Sequence, residues 1–300
     1  MKTYIISRFL KSLAIATTLP LAANAALDTN RIEQVIGLKG TWSAAEGVFK
    51  VTSPRTDVKI AVDGWTMPPF MGLGSWAAFT EAKMGGAMVM GDTVLFQDEV
   101  NPVMSVALDN GLSVTALHNH FFYDEPKVYF MHIGGEGSTE KLATAVRKVW
   151  DKLKEIRTAN PQPTTTFGST PLPAQNSITS KALEDILGMN GQANNGMFKV
   201  VIGRTAKMMD TEVGKEMGVN TWAAFAGADD NAVVDGDFAV LEDELQPVLK
   251  SLRHDRINIV AIHSHMTHEN PRILFLHYWG RGKASDLAKA LKAALATQSK

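Results

Sequence analysis

The 300-residue chain has no cysteine, 45% hydrophobic and 20% charged residues, and a formal net charge of −1. That apolar share excludes a disordered chain, and 24 Gly with 12 Pro is ordinary usage rather than collagen-like or low-complexity sequence. The missing cysteine excludes disulfides, thiolate metal sites, thiol nucleophiles and a lipidated cysteine within these residues, and near-neutrality gives no electrostatic footprint for nucleic acid.

In chain order, the first predicted element is a secretory leader over residues 1–25. Lys2, Arg8 and Lys11 make a basic start, a short apolar run follows, and Ala23-Asn24-Ala25 is a small-x-small cleavage site. The run is shorter than the roughly 20 residues that span a bilayer. Later apolar stretches are broken by charge or Gly, so no transmembrane segment is expected. Loss of three cations turns the near-neutral chain mildly acidic, and the expectation is an exported, periplasmic or secreted, soluble protein.

The remainder is written twice. One constant shift carries Ala116-Leu117-His118-Asn119-His120 onto Ala261-Ile262-His263-Ser264-His265, Phe130-Met131-His132 onto Phe275-Leu276-His277, and Gly91-Asp92 onto Gly236-Asp237. Ser75-Trp76-Ala77-Ala78-Phe79 likewise matches Thr221-Trp222-Ala223-Ala224-Phe225. Copies of this length indicate two homologous domains rather than a solenoid. The predicted division is a first repeat over residues 27–156, a Pro/Thr-rich linker over 157–177, and a second repeat over 178–300.

Each copy reads in the same order. An amphipathic helix (30–38; 179–187) precedes strand-like runs (58–62 and 87–96; 198–202 and 238–241). A helix begun by acids and Pro follows (98–108; 242–252), then two strands carrying the histidines, then a final amphipathic helix (140–156; 285–297). Neighbouring strands with short connections imply hairpins. The expected fold is α+β, two tandem homologous domains, each a largely antiparallel sheet with packed helices. Trp76 and Trp222 are expected in the core, as are Met84, Met88 and Met90 as gap-fillers.

The histidines carry the chemistry. Six of the eight form three repeat-related pairs: His118/His263, His120/His265 and His132/His277. Residues i and i+2 of a strand share a face, which places Val114, Ala116, His118 and His120 on one side. The next strand returns His132 (or His277) toward the pair. Three imidazoles with an open position suit a divalent transition metal, Zn, Cu, Ni or Fe. Asp124, Glu125 and Glu269 in the intervening loop are candidates for a further ligand or a base. Lys127 and Arg272, just after the loop, are candidates to hold a small anionic ligand. His254 and His268 have no histidine counterpart, although His268 lies in the loop beside the site. The Gly-rich ends, residues 134–137 and 280–282, lack phosphate-loop spacing and read as turns.

These residues support a metal-binding protein whose partner is a metal ion or small molecule. If it is an enzyme, a metal-activated water is the simplest mechanism. The alternatives are a non-catalytic envelope binding or resistance protein with structural histidines, or a cupin-like metalloenzyme, since His118-x-His120 and His265-x-x-x-Glu269 resemble the first cupin metal motif. The paired phrases His-Asn-His…Glu-Pro-Lys…Phe-Met-His-Ile-Gly-Gly and His-Ser-His…Asn-Pro-Arg…Phe-Leu-His-Tyr-Trp-Gly resemble the LppY/LpqO family over nearly the whole mature chain. That resemblance implies an exported bacterial protein with a duplicated domain of unknown function.

Overall fold

A computed structural model describes residues 27–83 and 85–299; the predicted leader and Met84 lie outside the described residues. The first repeat contains α1 (Thr29–Ile36), β1 (Gly40–Ser43), β2 (Val48–Pro54), β3 (Ala61–Val62), β4 (Trp65–Thr66), β5 (Gly74–Glu81), β6 (Ala87–Phe96), α2 (Gln97–Asp109), β7 (Ser113–His118), β8 (Asp124–Glu125), β9 (Val128–Gly137) and α3 (Thr139–Ala159). The second repeats that order with α4 (Ser180–Leu187), β10 (Gln192–Asn194), β11 (Met197–Gly203), β12 (Ala206–Met208), β13 (Thr211–Val213), β14 (Asn220–Ala228), β15 (Asn231–Leu241), α5 (Leu245–His254), β16 (Asn258–His263), β17 (Glu269–Asn270), β18 (Ile273–Gly282) and α6 (Ala284–Leu295).

Twelve strands form one sheet in the order β1-β2-β5-β6-β9-β7-β16-β18-β15-β14-β11-β10. The order is unchanged when every strand is exchanged for its repeat partner, so a pseudo-twofold axis runs between β7 and β16. Those two strands meet antiparallel at Leu117 and Ile262. The expected α+β class and duplication are both present, and the two sheets are fused edge to edge. The described residues do not form the closed β-barrel that a cupin requires: β1 and β10 stand at opposite ends of an open sheet, and helices interrupt the strands.

Period-two burial decides what each face does. Phe49, Val51, Ala77, Phe79, Val89, Leu95, Met131 and Ile133 point to the helix side, where they join Leu142, Val146, Val149 and Leu153 of α3. The spacing of those α3 residues is that of one helical face. Ser138 caps its first turn by accepting from Lys141 N at 3.4 Å. One continuous core runs beneath both repeats. Burying each large side chain there contributes about 1.5–3 kcal/mol. On the opposite, open face, the small sheets β4-β3-β8 and β13-β12-β17 each cover one end. Beneath the first lie Val94, Phe96, Val128 and Phe130; beneath the second lie Ala239, Ile273 and Phe275.

Several boundaries differ from expectation for local reasons. The predicted strand over 58–62 shortens to β3, because Val58 and Ile60 fill the small core under the β4-β3-β8 sheet. The helix predicted from residue 242 begins at Leu245, since Glu244 turns back to accept from Leu241 N at 3.0 Å. Helix α3 runs into the predicted linker because Arg157 is buried against Asp98 and Glu99. The linker is fixed at both sides: Thr164 N donates to Asp98 at 3.2 Å, Asn231 Nδ2 to the Pro171 carbonyl at 2.9 Å, and Gly227 N to Asn176 Oδ1 at 2.8 Å. Trp76 and Trp222 are not core residues; they lie half-buried on the open face beneath the ammonium groups of Lys50 and Lys199. Met88 and Met90 are likewise exposed on that face, not packed inside.

The seam has its own symmetric lock. The Asn101 side chain of α2 accepts from Ile259 N at 2.7 Å and donates to Ile259 O at 3.1 Å. Its counterpart Gln246 of α5 accepts from Val114 N at 2.9 Å and donates to Val114 O at 2.8 Å. Each amide completes the ladder of the other repeat's strand where β7 and β16 no longer overlap, pairing the backbone N–H and C=O of Val114 and of Ile259.

Candidate metal centre

All six repeat-related histidines lie on the open face or at the end of its central strands. The strict alternation expected for residues 114–120 fails at one point. A bulge between Val114 and Ala116 pairs Val114 with Ile133 and Ala116 with His132. Val114 is thereby sent into the core while Ala116 and His118 face out. The same bulge recurs between Ile259 and Ala261. Strands β7 and β16 end at His118 and His263, so His120 and His265 sit on the following loops, where each ring lies flat on a buried phenylalanine. The centroid distances are 3.4 Å for His120–Phe130 and 3.5 Å for His265–Phe275.

In the second repeat the rings converge. His265 Nε2 lies 3.1 Å from His263 Nε2 and 3.5 Å from Asp237 Oδ2. These three residues offer ligand atoms that all lie within 4.8 Å of one another, and no other group of three or more among the described residues does so. His277 stands beside them, its ring stacked on His263 at 4.8 Å, with Nδ1 3.3 Å from the Gly236 carbonyl. A His held at Nδ1 by a backbone carbonyl presents Nε2 as a ligand.

Spacing along the sequence does not mark Asp237 as a ligand. It reaches the site because β15 pairs with β18 so that Asp237 stands opposite His277. Gly236 fixes that approach: a side chain there would meet the Trp222 carbonyl at 2.3 Å and the Tyr278 hydroxyl at 2.1 Å. The readable signal is the Gly91-Asp92 and Gly236-Asp237 match, an acid kept in both copies inside a mostly apolar strand, where Asp is disfavoured. Asp237 is 2% exposed, and burial raises its carboxyl above the usual range. Burial, with His277 and His265 alongside, lowers the His263 imidazole, which favours the neutral, ligating form. Asp237 Oδ1 and His263 Nδ1 are buried without a hydrogen-bond partner.

The first repeat holds the same residues in a looser arrangement. His118 stacks between His120 and His132, both at 5.2 Å between centroids, and Asp92 stands opposite His132 in the ladder. Asp92 is also buried, with Oδ1 unpartnered. Burial chiefly lowers the His120 imidazole.

The loop residues are placed elsewhere. Asp124 is buried in the turn, accepting from Val128 N at 2.7 Å and pairing with Lys127 at 3.2 Å. Glu269 Oε1 accepts from Ile273 N at 3.4 Å in the equivalent turn. Both carboxylates thus hold the hairpin backbone. Glu125 is exposed, and Arg272 pairs with Glu242 at 3.5 Å. His254 pairs with Asp255 away from the site, and His268 is exposed on its loop.

Beside His277 opens a cavity of about 730 Å³ walled by α2, the linker and the open face of the second repeat. No helix among the described residues is long and apolar enough to cross a membrane. No curated protein and no solved structure matches the chain. A protein-family match does cover both copies, residues 30–152 and 181–297, and on that ground the chain belongs to the family described as Domain of Unknown Function (DUF1259), present here in duplicate.

Proposed function

We propose that this is an exported protein of the LppY/LpqO type that binds a divalent transition metal, with the second repeat as the principal site. Asp237, His263 and His265 are the ligands, and His277 packs its ring against His263 beside them. The observation that carries this reading is the spacing of the donor atoms. Bonds of about 2.0–2.1 Å in a tetrahedral site put neighbouring ligand atoms roughly 3.3 Å apart. The separations of 3.1 and 3.5 Å bracket that value. The unpartnered Asp237 Oδ1, on the same carboxylate as the donor Oδ2, supports it, because buried polar atoms without a partner are costly. Nitrogen and carboxylate donors without thiolate fit Zn, Cu, Ni or Fe. The first repeat, with Asp92, His118, His120 and His132, is the weaker site.

Metal analysis of untagged protein tests this reading. We expect about one tightly held ion per chain, retained through dialysis, and a rise in Tm when the stripped protein receives Zn²⁺, Cu²⁺, Ni²⁺ or Fe²⁺. Stripped protein that takes up none of these ions, with Tm unmoved, overturns it. Export is checked by fractionating cells that express the full chain. Retention of an uncleaved chain in the cytoplasm counts against it.

A further inference from the structure

The cavity beside His277 adjoins the candidate metal group, but Asp237, His263 and His265 are not among its lining residues. Its floor is a row of residues paired across three strands of the open face. Asp235 stands opposite Trp279, and Trp279 opposite Asn258. Directly opposed side chains of this kind lie about 4.5–5.5 Å apart at Cβ. This row is one pleat repeat from the row holding Asp237 and His277. Helix α2 of the first repeat forms one wall, and Tyr129 with Phe167 of the linker adds aromatic surface. At about 730 Å³ the space falls in the size range of small-molecule sites.

Charge narrows the class of ligand. Among the described residues, no Lys or Arg lines the cavity. Of its two acids, Asp98 is already paired with Arg157, whereas Asp235 has no cationic partner within salt-bridge distance among the described residues. Arg281, next along the same face, is turned away to the Thr170 carbonyl. Trp222 of β14 and its repeat partner Trp76 of β5 carry a lysine ammonium at 4.4 and 4.5 Å; among the described residues Trp279 carries none. An indole face beside an unpaired carboxylate attracts an organic cation and repels an anion. The first repeat cannot do the same, since its equivalent row is Met90, Gly134 and Ser113, with neither acid nor aromatic ring.

We propose that this cavity binds a small organic ammonium ion with an aromatic or apolar body, its charged head on Asp235 and Trp279. The proposal does not depend on the metal reading. The test titrates benzylamine, benzyl alcohol and benzoate, three probes of one shape and different charge, into the EDTA-treated full chain, followed by saturation-transfer NMR. Benzylamine is expected to bind saturably and at least about fivefold more tightly than benzyl alcohol, with benzoate weakest. Asp235→Asn should remove the preference for the amine, and Trp279→Leu should weaken all three probes. Met90→Ala, at the equivalent place in the first repeat, should change nothing. Near-UV circular dichroism confirms that each variant is folded. Benzoate binding as tightly as benzylamine, an unaltered preference in Asp235→Asn, or no saturable binding by any probe overturns the proposal. Repeating the titration with His263→Ala/His265→Ala separates the two readings: amine binding that survives loss of metal leaves this one standing alone.

Discussion

On the open face of the first repeat, Met90, Gly134 and Ser113 lie in a row; in the second repeat the same row is Asp235, Trp279 and Asn258. One pleat further along, both repeats keep Asp and His, Asp92 with His132 and Asp237 with His277. The helix face changes in a different way. There Leu117 and Ile262, or Val114 and Ile259, exchange one apolar side chain for another of similar volume, as a shared core requires. Duplication has thus left two copies of one scaffold and one histidine set. The second copy gathers its donor atoms and lies beside a cavity, whereas the first has its rings stacked apart. The linker explains part of the asymmetry, since it leaves α3 and runs along the second repeat's cavity.

The largest expected contrast is in metal content. His263→Ala/His265→Ala should abolish tight binding, while His118→Ala/His120→Ala should leave most of it, both read by metal analysis after dialysis. Equal losses would erase the distinction drawn between the repeats. Next comes the buried carboxylate that caps each central helix. Glu99 is fully buried and bonded to Arg55 at 2.6 and 2.7 Å, with Arg157 at 2.8 Å, and both arginine side chains are about as buried. Glu99→Ala leaves two buried arginines with Asp57 and Asp98 as their remaining carboxylate partners and should cost about 3–4 kcal/mol in urea unfolding. Glu244→Ala leaves only Arg204, whose side chain is 20% exposed, and should cost less, about 1–3 kcal/mol.

The seam should respond symmetrically. Asn101→Ala and Gln246→Ala each orphan a backbone N–H and C=O of the opposite repeat, and each should cost about 1–3 kcal/mol. A marked inequality between them would show that the pseudo-twofold is not energetic. The smallest effect concerns acid. Burial alone would raise the Glu244 carboxyl, but hydrogen bonds from Arg204, Leu241 N and Ser299 N outweigh it and hold the group at about 2, below the ordinary 4.5. Its folded value being depressed, its contribution is fully present above pH 4.5 and is lost as pH falls toward 2. Glu244→Gln should flatten that part of the acid-unfolding curve.

The histidines were legible in the sequence because each falls at the same place in two copies whose other residues have diverged. The aspartates were harder to read. Asp92 and Asp237 lie about forty residues upstream of the third histidine, and only the β6–β9 and β15–β18 pairings bring them opposite it. Loop acids such as Asp124 looked nearer in sequence, yet their carboxylates are consumed by the turn. Alternation puts Val114 on the histidine face; a bulge, which leaves no mark in composition, reverses it.

The sequence alone determined the duplication, the α+β order of elements and the three histidine pairs, because these are properties of spacing along the chain. Tertiary structure decided the fusion into one sheet, the aspartate that completes the candidate metal group, and the cavity at Asp235 and Trp279. Each of those depends on strand register and on which helix crosses the seam. Contacts between residues far apart in the chain set them, and no local pattern encodes such contacts.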